Sequence, residues 1–108
     1  MLQKILSEKI NIWKKEIHSV IKEKGQEVIS EVTVSQAYGG MRGVKGLTCE
    51  TSSVSADSGL IIRGYPLMDI SHISPEEVFY LLLTGELPDS AAVNDIQDQF
   101  KKNQKVPE

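Results

Sequence analysis

A chain of 108 residues, 40% hydrophobic and 25% charged, has the make-up of one folded domain, which excludes a disordered tail or a membrane-embedded bundle. Twelve basic and fifteen acidic side chains leave a formal charge of -3, and Arg42 and Arg63 are the only arginines, so the footprint of a nucleic-acid binder is missing. Cys49 is alone, which excludes an intrachain disulfide, and neither His18 nor His72 stands in a metal-ligand spacing, so no metal is expected.

Residues Leu2, Ile5, Leu6, Ile10, Trp13, Ile17, Val20 and Ile21 recur at steps of three and four, which predicts an amphipathic helix over residues 2–24. Gly25 should end it, with Lys22 and Lys24 complementing the negative helix end. The opening residues alternate charge with apolar side chains. They have neither the unbroken apolar core of a signal peptide nor the arginine-rich, acid-poor character of a mitochondrial presequence, so a bacterial cytoplasmic address is expected.

Val28, Ile29, Val32, Thr33 and Val34 favour an extended stretch over residues 27–34, opening a strand-and-hairpin region that reaches residue 65. Residues 48–55 and 60–63 flank Ala56-Asp57-Ser58-Gly59, a turn sequence, and read as a β-hairpin. Ser74-Pro75-Glu76-Glu77 is a capping-box signature with proline in the first turn, and it starts a helix over about residues 75–84. That helix carries Val78, Phe79, Leu81, Leu82 and Leu83 around most of its circumference, so it needs neighbours on several sides. Gly85 and Pro88 close it. A last helix runs over about residues 90–102 with Ala92, Val93, Ile96 and Phe100 on one side, and residues 103–105 read as a loop. The fold class is therefore mainly α: a long amphipathic first helix, a short strand and hairpin, then two helices.

The segment Gly39-Gly40-Met41-Arg42-Gly43-Val44-Lys45-Gly46 combines flexible backbone amides with two cations, a combination able to surround a phosphate. It is no P-loop, because no Ser or Thr follows Lys45, and no dinucleotide fingerprint, because no βαβ unit surrounds it. A purely structural turn between strand and hairpin is the competing reading. Glu50, Asp57 and Asp69 have no basic partner in sequence and read as solvated carboxylates. Arg63 reads as a tie between the hairpin and the following segment, bonding backbone carbonyls or a carboxylate, and Tyr65 as a packing residue.

Taken together and in order, Tyr38 to Leu47, Glu50-Thr51-Ser52, Gly59, Arg63-Gly64-Tyr65, and Pro75-Glu76 leading to Leu81-Leu82-Leu83-Thr84-Gly85-Glu86-Leu87-Pro88 resemble the amino-terminal portion of a citrate synthase. The Tyr-Gly-Gly-Met-Arg-Gly piece resembles the branch best known from mitochondrial enzymes. The resemblance implies an amino-terminal fragment, residues 1–108, of a larger all-α fold. It further implies a homodimeric acyltransferase of the tricarboxylic acid cycle that condenses acetyl-CoA with oxaloacetate to give citrate and CoA. CoA enters as substrate and product, with no permanently bound cofactor, and neither nucleic acid nor membrane is an expected partner.

The family's chemistry needs an aspartate base and two histidines, and no residue here has their sequence context. No catalytic residue is assigned, His18 and His72 are read as structural or solvated, and the fragment alone is expected to be inactive. Arg42 is the residue the resemblance places against the phosphate-bearing part of CoA, with Lys45 as a weaker helper. The same resemblance admits a methylcitrate synthase. A second reading of another class is a standalone, non-catalytic interaction module, since a short chain with an all-round apolar helix has little core to spare.

Overall fold

The computed structural model describes residues 1–105. The first helix, α1 (Leu2–Lys24), is followed by a second, α2 (Val34–Tyr38), and then by strands β1 (Ser52–Ser55), β2 (Gly59–Ile62) and β3 (Tyr65–Pro66). Three further helices complete the described chain: α3 (Leu67–Ile70), α4 (Pro75–Thr84) and α5 (Ser90–Asn103). The class is mainly α, with one three-stranded antiparallel sheet in the order β1-β2-β3. Ser52 pairs with Ile62 and Ser55 with Gly59 across the first hairpin, while Ile62 pairs with Tyr65 across the second.

The helix boundaries follow local chemistry. At α4, the Ser74 hydroxyl accepts from the Glu77 amide and the Glu77 carboxylate accepts from the Ser74 amide at 2.7 Å. Its far end closes on Gly85 in the left-handed conformation (φ 79°), whose amide returns to the Leu81 carbonyl at 2.8 Å. Asp89 caps α5 by accepting from the Ala92 amide at 2.8 Å, and that helix runs one residue further than the sequence reading, to Asn103. Gly25 ends α1 as expected, but in a right-handed conformation (φ -62°), not the left-handed one in which glycine commonly closes a helix. A Cβ there would run into the Ile21 carbonyl, so the requirement is for space.

The region between α1 and the hairpin departs most from expectation. Residues 27–33 form no strand, and a helix begins at Val34. Thr33 and Gln36 close a capping box across α2, which outweighs the β preference of the valines. The first hairpin strand is also shorter than the expected 48–55, and β3 with α3 was not foreseen: Arg63-Gly64 turns the chain back for a third, two-residue strand.

The core is small. Tyr80, Ala92 and Ile96 form its centre, with Leu2 and Ile5 of α1 packed against them, while Leu81 and Thr84 are fully buried and Ile70 nearly so. Thr84 donates its hydroxyl to the Tyr80 carbonyl at 2.8 Å, so this buried polar group is satisfied. Phe79 and Phe100 meet edge-on with centroids 5.3 Å apart. Only the first half of α1 docks; further along its apolar face Ile17, Val20 and Ile21 are 51%, 59% and 62% exposed. The accessible surface, 9132 Å², exceeds by roughly 3,000 Å² the ~6,000 Å² of a typical monomer of this mass. The radius of gyration is 18.5 Å, against about 13 Å for a compact domain of this length. No described helix is long and apolar enough to cross a membrane.

Candidate phosphate-facing loop and its supports

The loop after α2 turns on two glycines and one methionine in left-handed backbone: Gly40 (φ 75°), Met41 (φ 60°) and Gly43 (φ 77°). Glycine adopts this region without a Cβ penalty, whereas methionine adopts it only against a steric cost, so neighbouring contacts must hold Met41 in place. They come from Gln36. Its backbone carbonyl accepts from the Met41 amide at 2.7 Å, and its side-chain Nε2 donates to the Arg42 carbonyl at 3.5 Å. Val44 adds a bond from its amide to the Met41 carbonyl at 3.1 Å.

The guanidinium of Arg42 is thereby carried on an exposed turn, and neither of the two ion pairs among the described residues involves Arg42 or Lys45. Lys45 lines an open cavity of about 540 Å³ together with Ile29, Val44, Gly46, Leu47 and Thr48. Arg42 does not line that cavity. The two cations share one loop, but the structure does not gather them onto a single pocket wall. The loop can offer charge-assisted donors to an anion.

Arg63 holds the far side of this region. Its Nε and Nη2 both donate to the Leu82 carbonyl of α4, at 3.0 and 2.9 Å, and its Nη1 donates to the Glu50 carbonyl at 3.4 Å. The backbone amide of Arg63 bonds the Thr51 carbonyl at 2.9 Å, and its guanidinium lies 5.8 Å from the Trp13 ring centroid of α1. One side chain thus touches α1, the segment leading into β1 and the last turn of α4, the carbonyl-binding tie expected from the sequence. Arg63 itself has φ 48°, so this clamp also sustains a strained backbone. Lys9 of α1 reaches Glu86, just past α4, at 2.6 Å.

Sequence reasoning missed two features here. Gln36 was one, although Thr33-x-x-Gln36 carried the capping signal. The other is Cys49, whose thiol lies 3.4 Å from the Thr51 hydroxyl and 3.9 Å from that of Ser52. The Thr51 hydroxyl and then the Ser52 backbone amide stabilise the thiolate most, lowering the pKa from 9.0 to about 7. Cys-x-Thr-Ser, which sets hydroxyls two and three residues beyond the sulfur, was the available clue. His18 and His72 are exposed, and no group of three or more His, Cys, Asp or Glu side chains among the described residues could hold a metal.

A helical frame with a small sheet, carrying a cationic glycine turn at its edge, is the class of domain defined so far. A family model described as citrate synthase, C-terminal domain, matches residues 40–108. The mitochondrial 2-methylcitrate synthase of Yarrowia lipolytica is 40% identical over 101 residues, covering 84% of this chain and 22% of that protein. The mitochondrial citrate synthase of Saccharomyces cerevisiae is 39% identical over 103 residues, 86% of this chain and 22% of the yeast protein. That of Aspergillus niger is 34% identical over 116 residues, 98% and 24% respectively.

This chain belongs to the citrate synthase family. It spans about a quarter of the length of these relatives. The expected bacterial cytoplasmic address is overturned, because these relatives are named as mitochondrial proteins of fungi.

Proposed function

We propose that these residues form the amino-terminal part of an enzyme that condenses an acyl-CoA with oxaloacetate, and that Arg42 meets the phosphate-bearing end of CoA with Lys45 assisting. The observation that carries the reading is the exposed Arg42 on a left-handed turn held at its root by Gln36, with no ion-pair partner among the described residues. A guanidinium so presented offers several N–H donors in a fixed fork, which suits phosphate oxygens. The aspartate and two histidines of the family's chemistry are assigned to sequence outside these residues, so the isolated chain should be inactive. A homodimer and a mitochondrial setting follow from the same relationship.

Acetyl-CoA is the substrate favoured here. Propionyl-CoA is the alternative raised by the relative named 2-methylcitrate synthase. The test is thiol release by the full-length polypeptide given oxaloacetate with either acyl-CoA. Faster turnover of acetyl-CoA supports citrate synthesis, faster turnover of propionyl-CoA moves the assignment to methylcitrate synthesis, and no release with either removes the enzymatic reading. Arg42→Ala should raise KM for the acyl-CoA about tenfold or more, since a hydrogen bond between charged groups contributes about 1.5–3 kcal/mol. An unchanged KM would end the assignment of Arg42.

A non-catalytic interaction module draws support from the surface of 9132 Å². It predicts that the full-length polypeptide pairs with another chain and releases no CoA.

A further inference from the structure

Gln36 uses every polar group it has. Its amide nitrogen donates to the Thr33 hydroxyl at 3.2 Å, and its side-chain Oε1 accepts from the Thr33 amide at 3.0 Å and the Thr33 hydroxyl at 3.2 Å, which together cap α2. Its carbonyl accepts from Met41 at 2.7 Å, and its Nε2 donates to the Arg42 carbonyl at 3.5 Å. The side chain is half-buried while its neighbours along α2 are exposed. One residue therefore fastens the helix cap at one end of its amide and the backbone of Arg42 at the other.

We propose that Gln36 is a positioning residue for Arg42, setting the root of the guanidinium before CoA arrives. The inference rests on the reading of Arg42 as the phosphate contact. A turn containing Gly40 and Gly43, both at positive φ, has many alternative conformers once released, and a long arginine side chain magnifies any drift of its Cα. Pinning the Arg42 carbonyl removes much of that freedom in advance, so less ordering remains to be done on binding. Gln36 itself need not touch the ligand.

The experiment is a double-mutant cycle in the full-length polypeptide, read by calorimetric CoA affinity and by the KM and kcat for acyl-CoA. Gln36→Glu keeps the acceptors that cap α2 but removes the donor to Arg42, and Gln36→Met removes both the donor and the capping acceptor without adding charge. Each should weaken CoA and raise KM about three- to tenfold with kcat unchanged, the range expected from one hydrogen bond. In an Arg42→Ala background the same substitutions should add nothing further, because the group they position is gone.

Two outcomes would overturn the inference alone while Arg42→Ala still weakens CoA. One is an effect of Gln36→Met without any effect of Gln36→Glu, which would make the cap the cause. The other is full additivity with Arg42→Ala, which would mean that Gln36 acts by another route. If Arg42→Ala itself leaves CoA affinity unchanged, the phosphate reading fails and the positioning role falls with it.

Discussion

Arg63 shows how much one side chain can organise. Its guanidinium bonds the Leu82 and Glu50 carbonyls and stacks near Trp13, from a backbone at φ 48°. Arg63→Ala removes the clamp and keeps the strained backbone, and should cost about 2 kcal/mol of stability. Arg63→Gly removes the clamp but relieves the strain, so it should be the milder change by up to about 1 kcal/mol. Thermal unfolding of the two variants decides the matter, and an Ala variant as stable as the Gly variant would show that the strain relieved is no greater than the unfolded-state entropy glycine adds. At Cys49, the hydrogen bonds from Thr51 and Ser52 favour the thiolate, so alkylation by iodoacetamide should rise to half its maximum near pH 7. Thr51→Val should move that midpoint upward, towards the ordinary cysteine value. A midpoint that stays put would show that the hydroxyl is not the cause.

Among the elements, the cap of α4 joins a legible sequence signal to a titration. The Glu77 carboxyl is held below its ordinary range, first by the Ser74 backbone amide and then by the Ser74 hydroxyl. The folded-state value is the depressed one. Its stabilisation is therefore complete above the unfolded carboxylate range, and is lost as pH falls through the lower, folded value. Ser74→Ala should cost about 1 kcal/mol at neutral pH, and Glu77→Gln should flatten the acid side of the stability profile. An acid limb unchanged in Glu77→Gln would remove the cap from that account.

The helices α1 and α5 were readable through apolar residues spaced three and four apart, and α4 through the Ser74-Pro75-Glu76-Glu77 cap. The α2 region was not, because Val28, Ile29, Val32 and Val34 speak for a strand while the capping box speaks for a helix. Among the described residues no neighbouring strand pairs with residues 27–33 to settle the contest for β. The short β3 owes its existence to the Arg63-Gly64 turn, whose positive φ at a non-glycine residue no local propensity announces.

Across the whole molecule, surface is the dominant fact. About 3,000 Å² beyond the expectation for this mass is more than one partner contributes to a standard protein interface, ~800 Å². Leu81, fully buried, marks the centre of what core there is. Leu81→Ala should cost about 2–5 kcal/mol, whereas Leu82→Ala, at a position 37% exposed, should cost far less. Expressed as these residues alone, the chain should bind an apolar dye and self-associate as its concentration rises. A monomer that excludes the dye would show that the half-buried face of α1 closes in solution. Of the candidate site, the cations Arg42 and Lys45 were visible in the sequence through their glycine setting. Their unequal placement, with only Lys45 on the cavity wall, depends on the course of residues 39–50 after α2, which no periodicity encodes.

The lone tryptophan of the chain, Trp13, lies beside the Arg63 guanidinium that joins three elements. Its emission is thus an optical gauge of whether α1 is seated. In a denaturant titration, a colour shift that precedes the loss of helical circular dichroism would record the first helix swinging free while its own hydrogen bonds persist. Simultaneous transitions would show that helix and hairpin part company only when both dissolve.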